Sequence, residues 1–309
     1  MKFRNIIFML MLYILMLSAS INVNADITVI DDSGNKLSFS EPVKRIISLA
    51  PHITELLYAA GADKQIVGTV SYSDYPLAAK QLPVIGSYTK VDYERVLAAQ
   101  PDIVIYWKSG NPGNMIDGIK ELNLKIFNSE PDDFEGVASS LKTLGALLGT
   151  EAIANKRAQQ YLERLGALRK KYANSTKEKV RVFYQVWNQP LMTINKAHLI
   201  NDVIDFCGGE NVFAELDNIA PTVDMESVIK KNPDVIIAGM AKGREEWLQD
   251  WQKWPIISAV KNAHVYAIDA GLLVRQTPRI LDGTQRMCEI LQGIRSQGIH
   301  LQEVTNKSR

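Results

Sequence analysis

The chain has 309 residues, of which 46% are hydrophobic and 22% are charged, and its 35 lysines and arginines nearly balance its 34 aspartates and glutamates. This length predicts two domains with ordinary hydrophobic cores, and the balanced charge argues against both intrinsic disorder and a nucleic-acid partner. The histidines are far apart in sequence and two cysteines cannot form a four-thiolate site, so we expect no metal centre.

The N-terminus has the three-part pattern of a secretory signal peptide. Lys2 and Arg4 precede an apolar run over residues 6–17, and small and polar residues follow up to Ala25. Because this apolar run is shorter than the roughly 20 residues that cross a bilayer, a cleaved signal is favoured over a membrane anchor. We therefore predict cleavage after Ala25 and an exported protein in a compartment that permits disulfide bonds.

The next part of the chain alternates short apolar runs with helical patterns. Pro51 and Thr54 open a predicted helix that ends at Gly61. Continuous apolar runs suit parallel strands that are buried on both faces, and their alternation with helices predicts an α/β fold with mainly parallel sheets. These strands are predicted over residues 46–49, 67–70, 103–107 and 125–127.

A long helix is predicted in the middle of the chain. Between residues 151 and 173, apolar residues recur in steps of four and three along one face, and strand patterns resume at residues 180–184. We interpret this helix as a connector between two α/β lobes, with a packed helix inside one large domain as the alternative. The predicted parts are a first lobe over residues 26–149, a linker helix over 150–175, a second lobe over 176–298 and a polar tail over 299–309.

An internal repeat relates the two lobes. Residues 91–96 and 100–105 recur as residues 223–228 and 232–237, and the residue numbers differ by 132 throughout. Each copy predicts a short helix, a Pro-Asp turn and a buried strand. Two similar lobes joined by one helix imply a cleft between them, where ligands commonly bind, although the repeated pattern also suits a purely structural role.

The sequence contains none of the common enzyme motifs G-x-S-x-G, H-E-x-x-H, the P-loop and G-x-G-x-x-G. Trp107 stands at the carboxyl end of a predicted strand and Trp187 lies near the end of another, so both are candidate ligand contacts. The spacing of Trp247, Trp251 and Trp254 favours one packed helix face over a ligand platform.

The two cysteines lie in the second half of the chain. Cys207 stands beside two glycines, and a nucleophilic thiol is one interpretation of that segment. A disulfide between Cys207 and Cys288 is favoured, because the chain is predicted to be exported and contains no other cysteine that competes.

Several segments resemble the periplasmic cobalamin-binding proteins of ABC importers, within the helix-linked binding proteins that carry siderophores, haem and cobalamin. The resemblance extends over essentially the whole mature chain and implies two α/β lobes joined by one long helix, with a ligand cleft between the lobes. It also implies that the protein captures cobalamin or another corrinoid and delivers it to a permease dimer in the inner membrane. The segments are residues 71–76, 94–96, 101–107, 207–211 and 277–280.

The resemblance also implies which residues line the cleft. Tyr88 stands where close relatives have tryptophan, and Val186, Met192 and Ala220 stand where aromatic residues are expected, although Trp187 is adjacent. Because of these departures, a haem- or ferric-siderophore-binding protein remains an alternative, and a secreted metal-dependent oxidoreductase is the alternative from another class. The implied ligand contacts are Tyr72, Tyr88, Trp107, Trp187, Met192, Asp269 and Arg275.

Glu94 and Glu226 occupy equivalent positions in the repeat, each at the start of a helix. A carboxylate there is stabilised by the helix dipole, so a structural role is one interpretation. The resemblance implies instead that both glutamates project from the lobes and bind arginines of the two permease subunits. We expect a monomer that is not an enzyme and has no resident cofactor, with cobalamin as the transported ligand.

Overall fold

The computed structural model describes residues 26–172, 179–240, 244 and 246–307, with side chains described up to residue 296. The predicted signal peptide lies outside these residues, as does the predicted end of the linker helix over residues 173–175. In this part of the chain, no helix combines the length and the apolar character needed to cross a bilayer.

The first lobe contains a sheet of four parallel strands with helices on both sides. An antiparallel pair of short strands, which the sequence patterns did not predict, precedes it. The elements are β1 (Ile27–Ile30), β2 (Lys36–Phe39), β3 (Ile46–Ser48), α1 (Pro51–Ala60), β4 (Ile66–Gly68), α2 (Tyr93–Ala98), β5 (Ile103–Tyr106), α3 (Gly113–Glu121), β6 (Ile126–Asn128) and α4 (Phe134–Leu148). The strand order is β4-β3-β5-β6, and β5 is buried along its whole length, as its continuous apolar run predicts.

The connecting helix α5 (Glu151–Tyr172) has the predicted apolar stripe on its buried face. This face packs against α4, and the helix also contacts α1 of the first lobe and the last helix of the chain. Its buried residues are Ala154, Ala158, Tyr161, Leu165, Leu168 and Tyr172. The helix is therefore packed along its length rather than exposed as a free rod.

The second lobe repeats the parallel sheet. Its elements are β7 (Val180–Gln185), α6 (Leu199–Phe206), β8 (Gly209–Asn211), α7 (Met225–Lys231), β9 (Val235–Met240), α8 (Glu246–Trp251), α9 (Ser258–Lys261), β10 (Val265–Asp269), α10 (Ala270–Leu273) and α11 (Ile280–Lys307). The strand order is β10-β9-β7-β8, with all pairs parallel. The α/β class with two lobes is thus confirmed. Helix α11 continues into the stretch that was predicted as a polar tail.

A disulfide ties the second lobe together. Cys207, at the end of α6, is bonded to Cys288 in the middle of α11, and both residues are fully buried. The predicted pairing is confirmed, and the alternative of a nucleophilic thiol at Cys207 is wrong because the sulfur is already bonded.

The internal repeat has the same backbone construction in both lobes. The Asp92 carboxylate caps α2 by accepting the backbone N–H groups of Glu94 and Arg95, and the Asp224 carboxylate caps α7 by accepting the N–H of Ser227 at 2.7 Å. These are ordinary N-terminal caps, which satisfy donors that the first helical turn leaves free.

The repeated Pro-Asp turn also has a function that the sequence pattern did not reveal. The carboxylates of Asp102 and Asp234 accept the backbone N–H of Arg45 and Arg181, each at 2.9 Å, at the start of the central strands β3 and β7. The guanidinium groups of Arg45 and Arg181 in turn donate to carbonyl groups at the ends of α2 and α7. Each turn therefore fixes a helix end to the neighbouring strand.

Candidate ligand-binding cleft

The two lobes meet through loops that follow the carboxyl ends of β4 and β10. Arg275 of the second lobe donates from Nη1 to Oδ1 of Asp74 at 2.7 Å and from Nη2 to the carbonyl of Tyr72 at 2.9 Å. Its side chain is 14% exposed. Arg275, which was predicted as a ligand contact, therefore also joins the lobes at one edge of the cleft.

A buried ion pair lies beside this contact. Glu55 of α1 is 3% exposed, and its carboxylate accepts two hydrogen bonds from Arg279, both at 2.7 Å, and one from the Thr277 hydroxyl at 2.6 Å. The bidentate bond to Glu55 raises the pKa of Arg279 above its usual range. These side-chain partners of Glu55 all come from the second lobe, and Nη1 of Arg275 lies 3.8 Å from the same carboxylate, so this buried charge is compensated only when the lobes are in contact. Glu55 stands in an apolar helical run, which was the available sequence signal for such a pair.

Trp107 directly follows β5 and is half-buried at the carboxyl end of the first sheet. Its indole Nε1 donates to Oε1 of Glu130 at 3.1 Å, and its ring packs edge-on against the ring of His52 with centroids 5.3 Å apart. Burial lowers the pKa of His52 to about 4, so the imidazole is neutral at pH 7. A side chain at Gly110 would lie 2.0 Å from the Trp107 ring, so the loop requires glycine there.

Tyr72 and Tyr88 lie in loops of the first lobe, and both side chains are exposed. Tyr72 adopts a left-handed backbone conformation with φ of 67°, and its carbonyl accepts the bond from Arg275. The backbone carbonyl of Tyr88 accepts a hydrogen bond from the Asn111 side chain at 2.7 Å, which ties this loop to the one after β5. Both phenol rings are therefore presented on well-anchored backbone.

Trp187 has the corresponding place in the second lobe, two residues after β7 ends. Its side chain is 43% exposed, and its indole Nε1 donates to the carbonyl of Gln189 at 3.0 Å. The ring packs edge-on against Trp247 of α8, with centroids 5.4 Å apart. The guanidinium of Arg244 lies over both rings, 5.0 Å from the Trp187 centroid and 5.5 Å from the Trp247 centroid.

The remaining tryptophans of that segment divide between core and surface. Trp251 is buried in α8 and donates from Nε1 to the Gln185 side chain at 2.8 Å. The prediction of one helix face carrying all of these tryptophans was wrong for Trp254, because α8 ends at Trp251 and Trp254 lies in the turn that follows.

Met192 and Asp269 have structural contacts of their own. The backbone of Met192 pairs with Trp187 and with Thr222, so it holds the Trp187 loop, and its side chain is half-buried. The Asp269 carboxylate accepts the backbone N–H of Gly271 at 2.8 Å and thereby caps α10. A ligand contact of either side chain stays a prediction.

Glu94 and Glu226 lie in the first turns of α2 and α7, and both are exposed. Within the described part of the chain, neither carboxylate takes part in an ion pair. The described part of the chain also contains no cluster of three or more His, Cys, Asp or Glu side chains that could hold a metal ion.

Comparison with known proteins gives concordant matches. A family model described as periplasmic binding protein matches residues 46–272. The vitamin B12-binding protein of Vibrio parahaemolyticus is 35% identical over 257 residues, which cover 83% of this chain and 92% of that protein. The crystal structure of the periplasmic vitamin B12-binding protein of Vibrio cholerae has a TM-score of 0.77 at 33% identity and covers 82% of this chain and 98% of its own.

A likeness of fold extends to proteins with other ligands. A periplasmic heme-binding protein from Roseiflexus sp. RS-1 has a TM-score of 0.71 at 21% identity, with 81% of this chain and 98% of that chain covered. At this identity the match concerns the architecture of two lobes and a connecting helix, and the ligand has to be argued from the residues of the cleft.

Proposed function

This chain belongs to the periplasmic binding protein family, and we propose that it captures a corrinoid of the cobalamin type and delivers it to the permease of an ABC importer. The observation that carries the proposal is the placement of one tryptophan in each lobe, Trp107 and Trp187, at the carboxyl ends of the two parallel sheets. The similarity to vitamin B12-binding proteins along most of the chain supports the choice of ligand.

The chemistry of the cleft suits such a ligand. A corrinoid has broad apolar faces and a rim of amide groups. Large aromatic side chains such as Trp107 and Trp187 cover apolar faces with little loss of conformational entropy. Arg275 has more N–H donors than Asp74 and the Tyr72 carbonyl occupy, so a rim carbonyl can share its guanidinium.

Calorimetric titration tests the ligand. The mature protein, residues 26–309, is titrated with cyanocobalamin, haemin and a ferric siderophore under the same conditions. We expect one cyanocobalamin per protein, bound at least about tenfold more tightly than either other ligand and recovered unchanged. Binding of haemin or the siderophore without binding of cyanocobalamin would favour the alternative ligands, and conversion of the ligand would favour an enzyme.

Docking onto the permease is proposed to use Glu94 and Glu226. Both are exposed at equivalent places in the two lobes, so they suit a partner with two similar subunits. Arginine–carboxylate pairs are directional and would fix the orientation of the cleft over the transport path.

An uptake experiment tests the docking proposal. Replacing both residues, Glu94→Arg and Glu226→Arg, should leave cyanocobalamin affinity unchanged and abolish corrinoid uptake and complex formation. The control variant Glu121→Arg with Glu163→Arg carries the same charge change at exposed positions away from these helix starts. Uptake at the wild-type rate in the Glu94→Arg, Glu226→Arg variant would show that these glutamates only stabilise the starts of their helices.

Export and oligomeric state complete the proposal. We expect the signal peptide to be removed after Ala25, so that the periplasmic protein begins at Asp26 and behaves as a monomer. Intact mass spectrometry of protein from the periplasm and size-exclusion chromatography with light scattering measure these two properties. A mature chain that retains residues 1–25 would contradict cleavage.

A further inference from the structure

We propose that Trp187, Trp247 and Arg244 form a subsite of the second lobe that takes an anionic oxygen group at the edge of an apolar ligand face. The inference rests on the proposed function, because it assigns these residues to the same ligand. In a corrinoid with its nucleotide loop, the anionic group is a phosphodiester, and in haem it is a propionate.

The apolar part of the subsite is the exposed face of Trp187. Two contacts fix the orientation of this indole. Its N–H donates to the Gln189 carbonyl, and its ring packs edge-on against Trp247. A large side chain that is ordered before binding loses little entropy when a ligand covers it. Trp187 therefore offers a rigid apolar surface rather than a mobile surface residue.

Trp247 is a positioning residue in this arrangement. It is buried and packs with Ala238 and Met240 of β9, so it does not itself offer a surface to a ligand. Its contact with Trp187 connects the exposed indole to the central sheet. Edge-to-face aromatic pairs of this kind contribute beyond the apolar area that they bury.

The charged part of the subsite is Arg244. Its guanidinium lies over both indoles, which are the preferred aromatic partners of a cation. Within the described residues it makes no ion pair with a carboxylate, so its N–H groups are not committed to an acid of the protein. A stacked guanidinium retains the in-plane donors that bind phosphate or carboxylate oxygens.

The position of the subsite fits the cleft. Strands β7 and β9 are neighbours in the second sheet, and Trp187 and Trp247 both follow their carboxyl ends. Arg275, which contacts the first lobe, follows the carboxyl end of β10, the next strand of the same sheet. All of these residues therefore belong to one edge of the sheet, the edge at which parallel sheets bind ligands.

The charged part is tested with two corrinoids that differ in the anionic group. Cyanocobalamin carries the phosphodiester, and dicyanocobinamide lacks the whole nucleotide loop. Arg244→Gln should weaken cyanocobalamin binding about fivefold to tenfold and leave cobinamide binding within about twofold of wild type. Arg244→Lys should recover part of the loss, and Lys253→Gln, which removes a positive charge from an exposed residue of the same lobe, should change neither affinity.

The measured affinities distinguish a phosphodiester from a propionate as the bound group, and they distinguish failure of the subsite from failure of the proposed function. An equal effect of Arg244→Gln on both corrinoids, or no effect on either corrinoid and none on haemin, would overturn the charged part. A loss seen only with haemin, titrated in parallel, would support the subsite with a propionate as its ligand. Wild-type protein that binds neither corrinoid would contradict the proposed function and the corrinoid assignment of the subsite together, whereas unchanged variants of a binding-competent protein contradict the subsite alone.

The aromatic part is tested at Trp247. Trp247→Leu should weaken both corrinoids about threefold to tenfold, and Trp247→Phe, which keeps an aromatic edge for Trp187, should restore most of the affinity. Trp254→Leu, at a half-exposed tryptophan of the same segment, is the control. Thermal unfolding is measured for each variant, and if the leucine variant does not fold, the phenylalanine variant decides. Equal affinities of Trp247→Leu and Trp254→Leu, or a loss in Trp247→Phe as large as in Trp247→Leu, would overturn the positioning role.

Discussion

Trp107 and Trp187, the two proposed ligand contacts, are held by different chemistry. In the first lobe, the Trp107 indole donates to the Glu130 carboxylate and packs against the ring of His52, whose pKa is lowered to about 4 by burial. In the second lobe, the Trp187 indole is supported by Trp247 and by a backbone carbonyl, neither of which titrates. The first support is therefore sensitive to protonation and the second to packing.

The scaffolds beneath these supports are nearly the same. In each lobe, Asp102 or Asp234 accepts the backbone N–H of an arginine at the start of the central strand, and the guanidinium of that arginine donates to a carbonyl group at the end of the neighbouring helix. The repeat therefore keeps what positions the start of a strand, while the loops that follow the strands carry different side chains.

The disulfide is the largest difference between the lobes, since the first lobe has no cysteine. Cys207 and Cys288 are 81 residues apart. Replacing both with alanine should lower the free energy of unfolding by about 4–5 kcal/mol, because the unfolded chain loses a long closed loop. Urea unfolding of the double variant and of wild type, with and without reductant, measures this, and a change of less than about 1 kcal/mol would contradict the expectation.

The two tryptophans should differ in their share of the binding energy. Trp107→Ala should weaken cyanocobalamin binding by about 2–4 kcal/mol, as expected for a half-buried aromatic residue at the centre of a site. Trp187→Ala should cost about 1–2 kcal/mol, because this side chain is the more exposed of the two. Calorimetric titration gives both values, and circular dichroism checks the fold. Wild-type affinity in Trp107→Ala would show that the cleft has been placed wrongly.

The first-lobe support should make stability depend on pH. Burial lowers the pKa of His52 from 6.5 to about 4, so below pH 6.5 the unfolded chain binds a proton that the folded protein does not. Stability is therefore unaffected by His52 above that pH and decreases as the pH falls, by about 2 kcal/mol at pH 5. Urea unfolding at pH 7.5 and pH 5 should show a smaller decrease in His52→Gln than in wild type.

The other buried histidine provides the control for this experiment. The pKa of His198, which caps α6 in the second lobe, is also lowered to about 4 by burial, and His198 is present in both proteins. The contribution of His198 to the pH dependence of stability therefore cancels when wild type and His52→Gln are compared. Identical pH dependence of wild type and His52→Gln would show that the ring beside Trp107 is already protonated or is solvated in the folded protein.

The repeated scaffold should give similar small effects in both lobes. Asp102→Ala and Asp234→Ala each remove a carboxylate that accepts strand N–H groups, so each should cost about 1–2 kcal/mol of unfolding free energy. The loss should be somewhat larger for Asp102→Ala, because the Asp102 carboxylate also accepts the backbone N–H of Lys44 at 2.9 Å, but the two values should agree within about 1 kcal/mol. A large inequality, measured by urea unfolding, would show that the repeat is similar in sequence but not in its energetic role.

Much of the fold could be predicted from the sequence, because burial on both faces leaves a clear pattern. The apolar run at residues 103–107 predicts the central strand β5, and the stripe from Ala154 to Tyr172 predicts the buried face of α5. The antiparallel pair β1–β2 was missed because it is short and mostly exposed. The full length of helix α11 was not predicted, because its polar C-terminal end has the composition of a solvated tail.

The cleft was less predictable, because its contacts join residues that are distant in sequence. Glu55 and Arg279 are 224 residues apart, and only the fold reveals that they form an ion pair. The supports of the tryptophans were missed for the same reason, since nothing near Trp107 in the sequence points to His52. Trp247 was interpreted as core because its spacing to Trp251 suits a helix face. That interpretation is compatible with its burial but missed its contact with Trp187.

The central claim is that both lobes bind one ligand through their tryptophans. A crystal structure of the mature protein with cyanocobalamin tests it most directly. The account predicts a corrinoid between the lobes, with the rings of Trp107 and Trp187 both in van der Waals contact with it and the Arg244 guanidinium within hydrogen-bonding distance of the phosphodiester. A corrinoid that contacts one lobe only, or that lies away from both tryptophans, would contradict it.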